Sequence, residues 1–175
     1  MSSDRQHQGW LQGKLLLAST HLRNSFFDRA VIGIVEHTDD GTVGFILNRP
    51  SDILVTDVFD PLPPPLDNAS PVYVGGPVQL EHAIGVTDGE PDQPANVVLV
   101  DIREMHLGDD RRLRIYAGYA GWDAGQVEWE IGMESWLVVD AVGDDFFSEH
   151  PATLYERIAD RCGYDPSPGP DPLLN

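Results

Sequence analysis

For most of its length this chain places apolar residues in short blocks rather than at helical spacing. Residues 14–19 (KLLLAS) form a continuous apolar run, the pattern of a buried strand. Two β-rich runs follow, at 30–37 (AVIGIVEH) and 42–48 (TVGFILN), around the tetrapeptide Thr38-Asp39-Asp40-Gly41. An Asp-Gly pair between such runs predicts a hairpin, because both residues tolerate the backbone of a tight turn. Pro50 lacks an amide donor and is expected to end the second run. Residues 23–29 read as a turn or short helical piece. Residues 52–59 read as a short helix that the proline run 61–65 (PLPPP) cannot continue. That run reads as a stiff spacer.

Further strands are predicted at 72–74, 83–87, 97–101, 112–119 and 136–141. Gly75-Gly76-Pro77 turns the chain after the first of them, and DGEPDQPAN (88–96) separates the second from the third. Helical spacing shows at 150–162, where Leu154, Ile158 and Cys162 lie four apart and Pro151 suits a first turn. Strands with a few late helices give an α+β class rather than a βαβ series.

The stretch 118–131 (GYAGWDAGQVEWEI) reads as a strand, a tight glycine corner and a capped helix. Asp123 is expected as the cap, with Gln126 completing a capping-box-like pair. Val127 and Ile131 share one helical face, and Trp122 and Trp129 are expected as apolar anchors. The stretch lacks the Gly-Lys-Ser/Thr ending of a phosphate loop and the dinucleotide-binding glycine spacing. No Gly-x-Ser-x-Gly elbow occurs in the chain.

Charge changes the picture more than composition does. The chain has 29 acidic and 11 basic residues, a net charge of −18. Such a surface repels phosphate backbones, so nucleic acid is not an expected partner. The one basic cluster, Arg111-Arg112-Leu113-Arg114, reads as the start of a strand. A single cysteine, Cys162, forbids an intrachain disulfide and suits a reducing interior, where it is expected to be structural. No apolar run is long enough to span a bilayer, and the first ten residues lack the apolar core of a signal peptide. A cytoplasmic protein without membrane partners is expected. Its domains are expected as a flexible tail at 1–8, one domain at 9–163 and an irregular tail at 164–175.

GYAGWDAGQVEWEI resembles the signature of the YqgE/AlgH family. Three other segments match in the same order. They are 13–34, with Leu22, Phe27 and Arg29 in the expected places; Glu36-His37 with 41–50 (GTVGFILNRP); and 72–78 (VYVGGPV). Trp136-Leu137 and the last helix fit as well, so the resemblance covers about residues 9–165. Thr20 stands where a proline is usual. Residues 82–87 (HAIGVT) depart from the family's Arg-Gly-Phe and Leu-His run, so no role is carried over to His82. The resemblance implies an α+β fold whose bifurcated, mostly antiparallel sheet curls into a pseudo-barrel. It implies no reaction. A family label of transcriptional regulator is set aside on the charge argument.

Among individual residues, Arg29 and Arg49 lie in apolar surroundings and need carboxylates or carbonyls, or else bind an anion. Asn48 is expected to bond to the backbone in a turn before Arg49-Pro50. Glu36 and His37 are neighbours in a strand and face opposite ways, so with Asp39 and Asp40 they do not form a metal site. Glu128 and Glu130 point to different helical faces and make a poor acid–base pair. No metal and no cofactor is expected.

The first expectation is a non-catalytic binding or regulatory module for a small molecule or a protein. Its candidate face is Asn48, Arg49, Gly75, Gly76, Pro77, Tyr119, Gly121 and Trp122. The rival is an enzyme acting on an anionic small molecule, with Arg29 and Arg49 as clamps and His37 as acid or base. A transcriptional regulator is the third and least favoured reading.

Overall fold

The architecture was analysed in a computed structural model that describes residues 9–89, 97–102 and 111–167. Strand β1 (Lys14–Ala18) is buried along its apolar run and sits between β2 (Val31–Thr38) and β9 (Trp136–Asp140), antiparallel to both. β2 and β3 (Gly41–Ile46) form the predicted hairpin, closed by the Thr38–Gly41 pair around Asp39-Asp40. A register shift between Ile34 and Glu36 re-phases the strand, leaving Val35 and His37 buried and Glu36 exposed.

The remaining strands are β4 (Pro50–Leu54), β5 (Pro71–Val74), β6 (Val78–Asp88), β7 (Val97–Val100) and β8 (Leu113–Asp123). The main path runs β4-β5-β8-β3-β2-β1-β9, with β6 and β7 branching from β8. β8 is the hinge of this topology. Its first part pairs with β6 on one edge and with β5, in parallel, on the other. Its last part pairs with β3, from Gly44–Ala120 to Gly41–Asp123. The sheet is therefore mixed, mostly antiparallel and branched. No pairing joins β9 to β4 among the described residues, so the sheet is open and does not form the pseudo-barrel that the resemblance implies.

β8 also corrects the reading of the signature. The strand continues through Gly118-Tyr119-Ala120-Gly121 to Asp123, so the glycines do not form a corner. Gly118 has φ 70°, a left-handed backbone that favours glycine, at the place where β8 changes partners. The turn into helix α1 (Gln126–Gly132) falls at Gly125, and Asp123 does not cap it. Only the reverse half of the expected pair forms: the Asp123 amide donates to Gln126 Oε1 at 3.1 Å. Trp122 is buried as expected, but Trp129 is 66% exposed.

Pro50 opens β4 instead of merely ending the preceding run. β4 is the last strand on its side of the sheet, and the first residue of an edge strand tolerates a missing donor. The helix expected over 52–59 is thus replaced by the end of β4 and a short 3-10 turn, Val55–Asp57. Pro61 to Pro65 cross the surface, while Leu62 packs on a small core of Val55, Val72, Leu113 and Ile115.

Helix α2 (Leu154–Cys162), preceded by a 3-10 turn at Pro151–Thr153, packs Leu154, Tyr155, Ile158 and Ala159 into the main core with β1 and β2. The predicted apolar stripe stops before Cys162, which is exposed. The described residues form one α+β domain with two α-helices. The expected 1–8 tail and most of the expected C-terminal tail lie outside the described residues. Tyr164, at the start of the latter, is docked, its hydroxyl accepting the Thr20 amide at 2.9 Å. No described helix is long and apolar enough to cross a membrane.

Candidate functional site

The residues singled out by sequence fall into three groups. Asn48 and Arg49 follow β3, and their side chains lock the loop before β2. Asn48 Oδ1 accepts the Val31 amide at 3.0 Å, and its Nδ2 donates to the Arg29 carbonyl at 2.9 Å. Arg49 donates to the carbonyls of Phe26 (2.6 Å) and Asp28 (3.3 Å) and lies 5.2 Å above the Phe26 ring. Burial holds the Arg49 guanidinium below its ordinary pKa, an effect partly offset by Asp28. Arg29 is half-exposed, pairs with Glu156 of α2 and covers the Tyr155 ring at 4.6 Å. Arg29 thus finds a carboxylate, but in an exposed tie between a loop and a helix rather than in an apolar interior. The two guanidiniums are spent on separate partners and form no shared clamp.

His37 lies on the buried side of the β2–β3 hairpin, under α1. Its Nδ1 is 2.7 Å from Thr42 Oγ1, and its Nε2 is 3.2 Å from Glu128 Oε1. The two ring nitrogens thus bridge the Thr42 hydroxyl and the Glu128 carboxylate. Hydroxyl, imidazole and carboxylate are the parts of a nucleophile–base–orienter set, which neighbouring positions in sequence do not reveal. Thr42 and His37 are only 3% and 4% exposed, with Trp10 packed edge-on at 6.1 Å. The set ties α1 to the hairpin, with both the hydroxyl and the imidazole almost wholly buried.

Glu130 fastens the same helix from its other face. Its Oε2 accepts both the Trp122 indole N–H (2.7 Å) and the Trp136 indole N–H (2.9 Å), and Oε1 accepts from Gln126. The two glutamates therefore face different ways, as helical spacing requires, and serve two separate fastenings.

On the opposite, outward side of the hairpin the chain leaves a cavity of about 390 Å³. Its lining includes Thr42, Val43, Val78, Tyr119, Gly121 and Trp122, with Glu36, Asp40 and Asp123 among the exposed acids around it. None of these three carboxylates has a cationic partner among the described residues. The Trp122 ring is turned into the core.

Gly76 lies outside the lining and packs against the backbone of Tyr119, which is in it. A Cβ there would lie 2.1 Å from the Tyr119 carbonyl carbon, so only glycine lets the two backbones approach this closely. Gly75 is fixed beside it, its amide donating to Ala117 O and its carbonyl accepting from the Ile46 amide. Pro77 is exposed next to them. The structure therefore gathers Gly75, Gly76, Pro77, Tyr119, Gly121 and Trp122 in one region. It places Arg29, Asn48, Arg49 and His37 elsewhere.

Comparison with known proteins bears on this arrangement. A family described as AlgH-like matches residues 15–167. This chain belongs to the AlgH-like family. It is 34% identical over 166 residues to a UPF0301 protein of Streptomyces avermitilis, covering 86% of each chain. A UPF0301 protein of Mycolicibacterium vanbaalenii is 36% identical over 167 residues, covering 85% of this chain and 81% of that one.

Two solved structures share the fold at 26% identity. A crystal structure from Corynebacterium diphtheriae gives a TM-score of 0.70 over 93% of this chain and 88% of that one. The solution structure of AlgH from Pseudomonas aeruginosa gives 0.69 over 92% and 96%. The AlgH-like family is one of unknown function.

In this AlgH-like chain, local pattern does not place Thr42 beside His37, nor Glu36, Asp40 and Asp123 around one cavity. The hairpin register carries the missing signal. Glu36–Val43 and Val43–Gly121 are cross-strand partners on one face, and His37–Thr42 and Thr42–Trp122 are partners on the other.

Proposed function

We propose that this AlgH-like protein is a non-catalytic binding module. Its ligand face is the cavity beside Tyr119, Gly121, Val43 and Val78. The observation that carries this reading is the contrast across the hairpin. His37 and Thr42 are almost wholly buried, whereas the open cavity presents a tyrosine and three carboxylates without cationic partners among the described residues. Unpaired acids around a concavity favour a ligand that brings positive charge, an amine or guanidinium on a small molecule or a protein segment. A cytoplasmic setting fits the single cysteine.

Calorimetric titration with spermidine and with a short arginine-rich peptide tests this reading. Saturable binding is expected, weakened about tenfold by Glu36→Gln with Asp123→Asn. The same two charge removals at Asp52 and Asp160 are expected to have little effect. Equal weakening by both pairs means nonspecific attraction to an acidic surface and sinks the proposal. Turnover of any substrate that is lost in Thr42→Val, with the fold intact, supports the enzyme reading instead.

A further inference from the structure

A second pocket, of about 440 Å³, lies between the start of β8, the loop 144–150 and the first turn of α2. Arg112, Ser148, His150 and Arg157 line it, together with Asp144, Asp145 and Glu149. In a chain of net charge −18, Arg112, Arg114, Arg157 and Arg161 all converge on this one loop. Arg29 and Arg49, the other candidate anion-binding pair, are spent elsewhere. The basic groups with capacity to spare are here.

Arg114 and Arg157 have no carboxylate in ion-pair reach among the described residues. Arg114 stacks 4.1 Å above the Tyr73 ring and donates to the carbonyls of Phe146 (3.4 Å) and Ser148 (2.9 Å), which fixes the loop. Arg157 Nη2 donates to Ser148 Oγ at 2.7 Å and to His150 O at 3.2 Å, and its Nε donates to Thr153 Oγ1 at 3.3 Å. Its Nη1 makes no hydrogen bond among the described residues, and neither does the His150 ring. The 3-10 turn and helix that begin here have no side-chain cap. Fixed guanidinium donors and an imidazole around one hollow are means by which proteins hold oxyanions.

The acids in the lining are mostly spoken for. Arg112 binds Asp144 and, through Nε, both oxygens of Asp88. Burial alone lowers the Arg112 pKa, but these two carboxylates outweigh it and raise the net value. Asp145 accepts from Arg161 at 2.8 Å and from the Val142 amide at 2.9 Å. Glu149 alone in the lining has no cationic partner among the described residues, and it opposes an anion.

We propose that the pocket between Arg112, Ser148, His150 and Arg157 binds the phosphate group of a small phosphorylated molecule. Arg157 and His150 contact the oxyanion, and Arg114 positions the loop without touching it. The proposal is independent of the cavity beside Tyr119.

The test is a titration with inorganic phosphate, followed by two-dimensional amide NMR at constant ionic strength set with chloride. Saturable shifts confined to 144–157 and 112–114 are expected. Arg157→Gln is expected to weaken binding about tenfold, and Arg23→Gln to leave it unchanged. Glu149→Gln is expected to tighten it several-fold, a gain that a purely structural role for this loop does not produce. Glycerol phosphate is expected to bind at least as tightly as phosphate. The proposal is overturned if chloride reproduces the shifts, if they fail to saturate, or if Glu149→Gln and Arg157→Gln both leave them unaltered. A phosphoserine peptide that binds far more tightly than glycerol phosphate overturns the small-molecule assignment.

Discussion

The corner at Arg29, Asn48 and Arg49 and the cavity beside Tyr119 both use residues that stand out in the sequence, yet they treat polar groups in opposite ways. At the corner each named side chain is consumed internally, by the Val31 amide, the carbonyls of Phe26, Asp28 and Arg29, and the Glu156 carboxylate. At the cavity, Glu36, Asp40 and Asp123 face outward without a cationic partner among the described residues. A polar group with an internal partner contributes to stability, and one held unpaired at a concave surface is available to a ligand. Eye-catching residues are therefore sorted by what they bond to rather than by their type.

The largest expected effect comes from forcing apart the backbones packed beside the cavity. Gly76→Ala forces a Cβ into the Tyr119 backbone, which cannot yield as a side-chain tip would. A loss of about 3 kcal/mol in urea-unfolding stability is expected. Gly121→Ala meets only the Tyr119 ring edge, at 3.1 Å, and is expected to keep the fold while narrowing the cavity.

Next comes the core, where Tyr116 packs at a tilt against Phe45 and Tyr73. Burial pushes the Tyr116 phenol up to about 12 from its ordinary 10.0. The folded state then keeps a proton that the unfolded chain gives up near its ordinary pKa. Stability from this group is complete below about pH 10 and is lost as pH rises toward 12, a change of roughly 2–3 kcal/mol. Urea titrations at stepped alkaline pH measure it, and Tyr116→Phe is expected to flatten the slope.

Asn48→Ala sharpens the comparison from the corner side. It leaves the Val31 amide and the Arg29 carbonyl without their partner. A loss of about 2 kcal/mol is expected, with no change in spermidine affinity for the molecules that remain folded. The smallest effect is on the cavity side. Glu36→Gln with Asp123→Asn removes repulsion among exposed acids and is expected to raise stability by up to about 0.5 kcal/mol, with a smaller response to added salt.

Much of this was legible in the sequence where the signal is local. The Asp39-Asp40-Gly41 turn, the buried KLLLAS run and the backbone-bonding Asn48 each depend on a few adjacent residues. Pro50 was ambiguous because one missing donor fits both the end of one strand and the start of an edge strand. The glycines of β8 read as a corner because their need is tertiary: Gly118 admits the Gly76 carbonyl, and Gly76 admits the Tyr119 backbone, from segments far apart in sequence. The Thr42–His37–Glu128 latch was hidden for the same reason, since α1 reaches the hairpin only after β8 has paired with β3. Sheet closure was carried over from resemblance alone, and nothing in local pattern distinguishes an open branched sheet from a curled one.

The most direct measurement pairs urea unfolding with spermidine titration for two variants, Arg49→Met and the triple change Glu36→Gln, Asp40→Asn, Asp123→Asn. The account predicts that the first loses about 1–2 kcal/mol of stability and keeps its affinity, whereas the second keeps its stability and loses its affinity. A swap of these outcomes, with Arg49→Met stable but unable to bind and the triple variant binding normally, contradicts it.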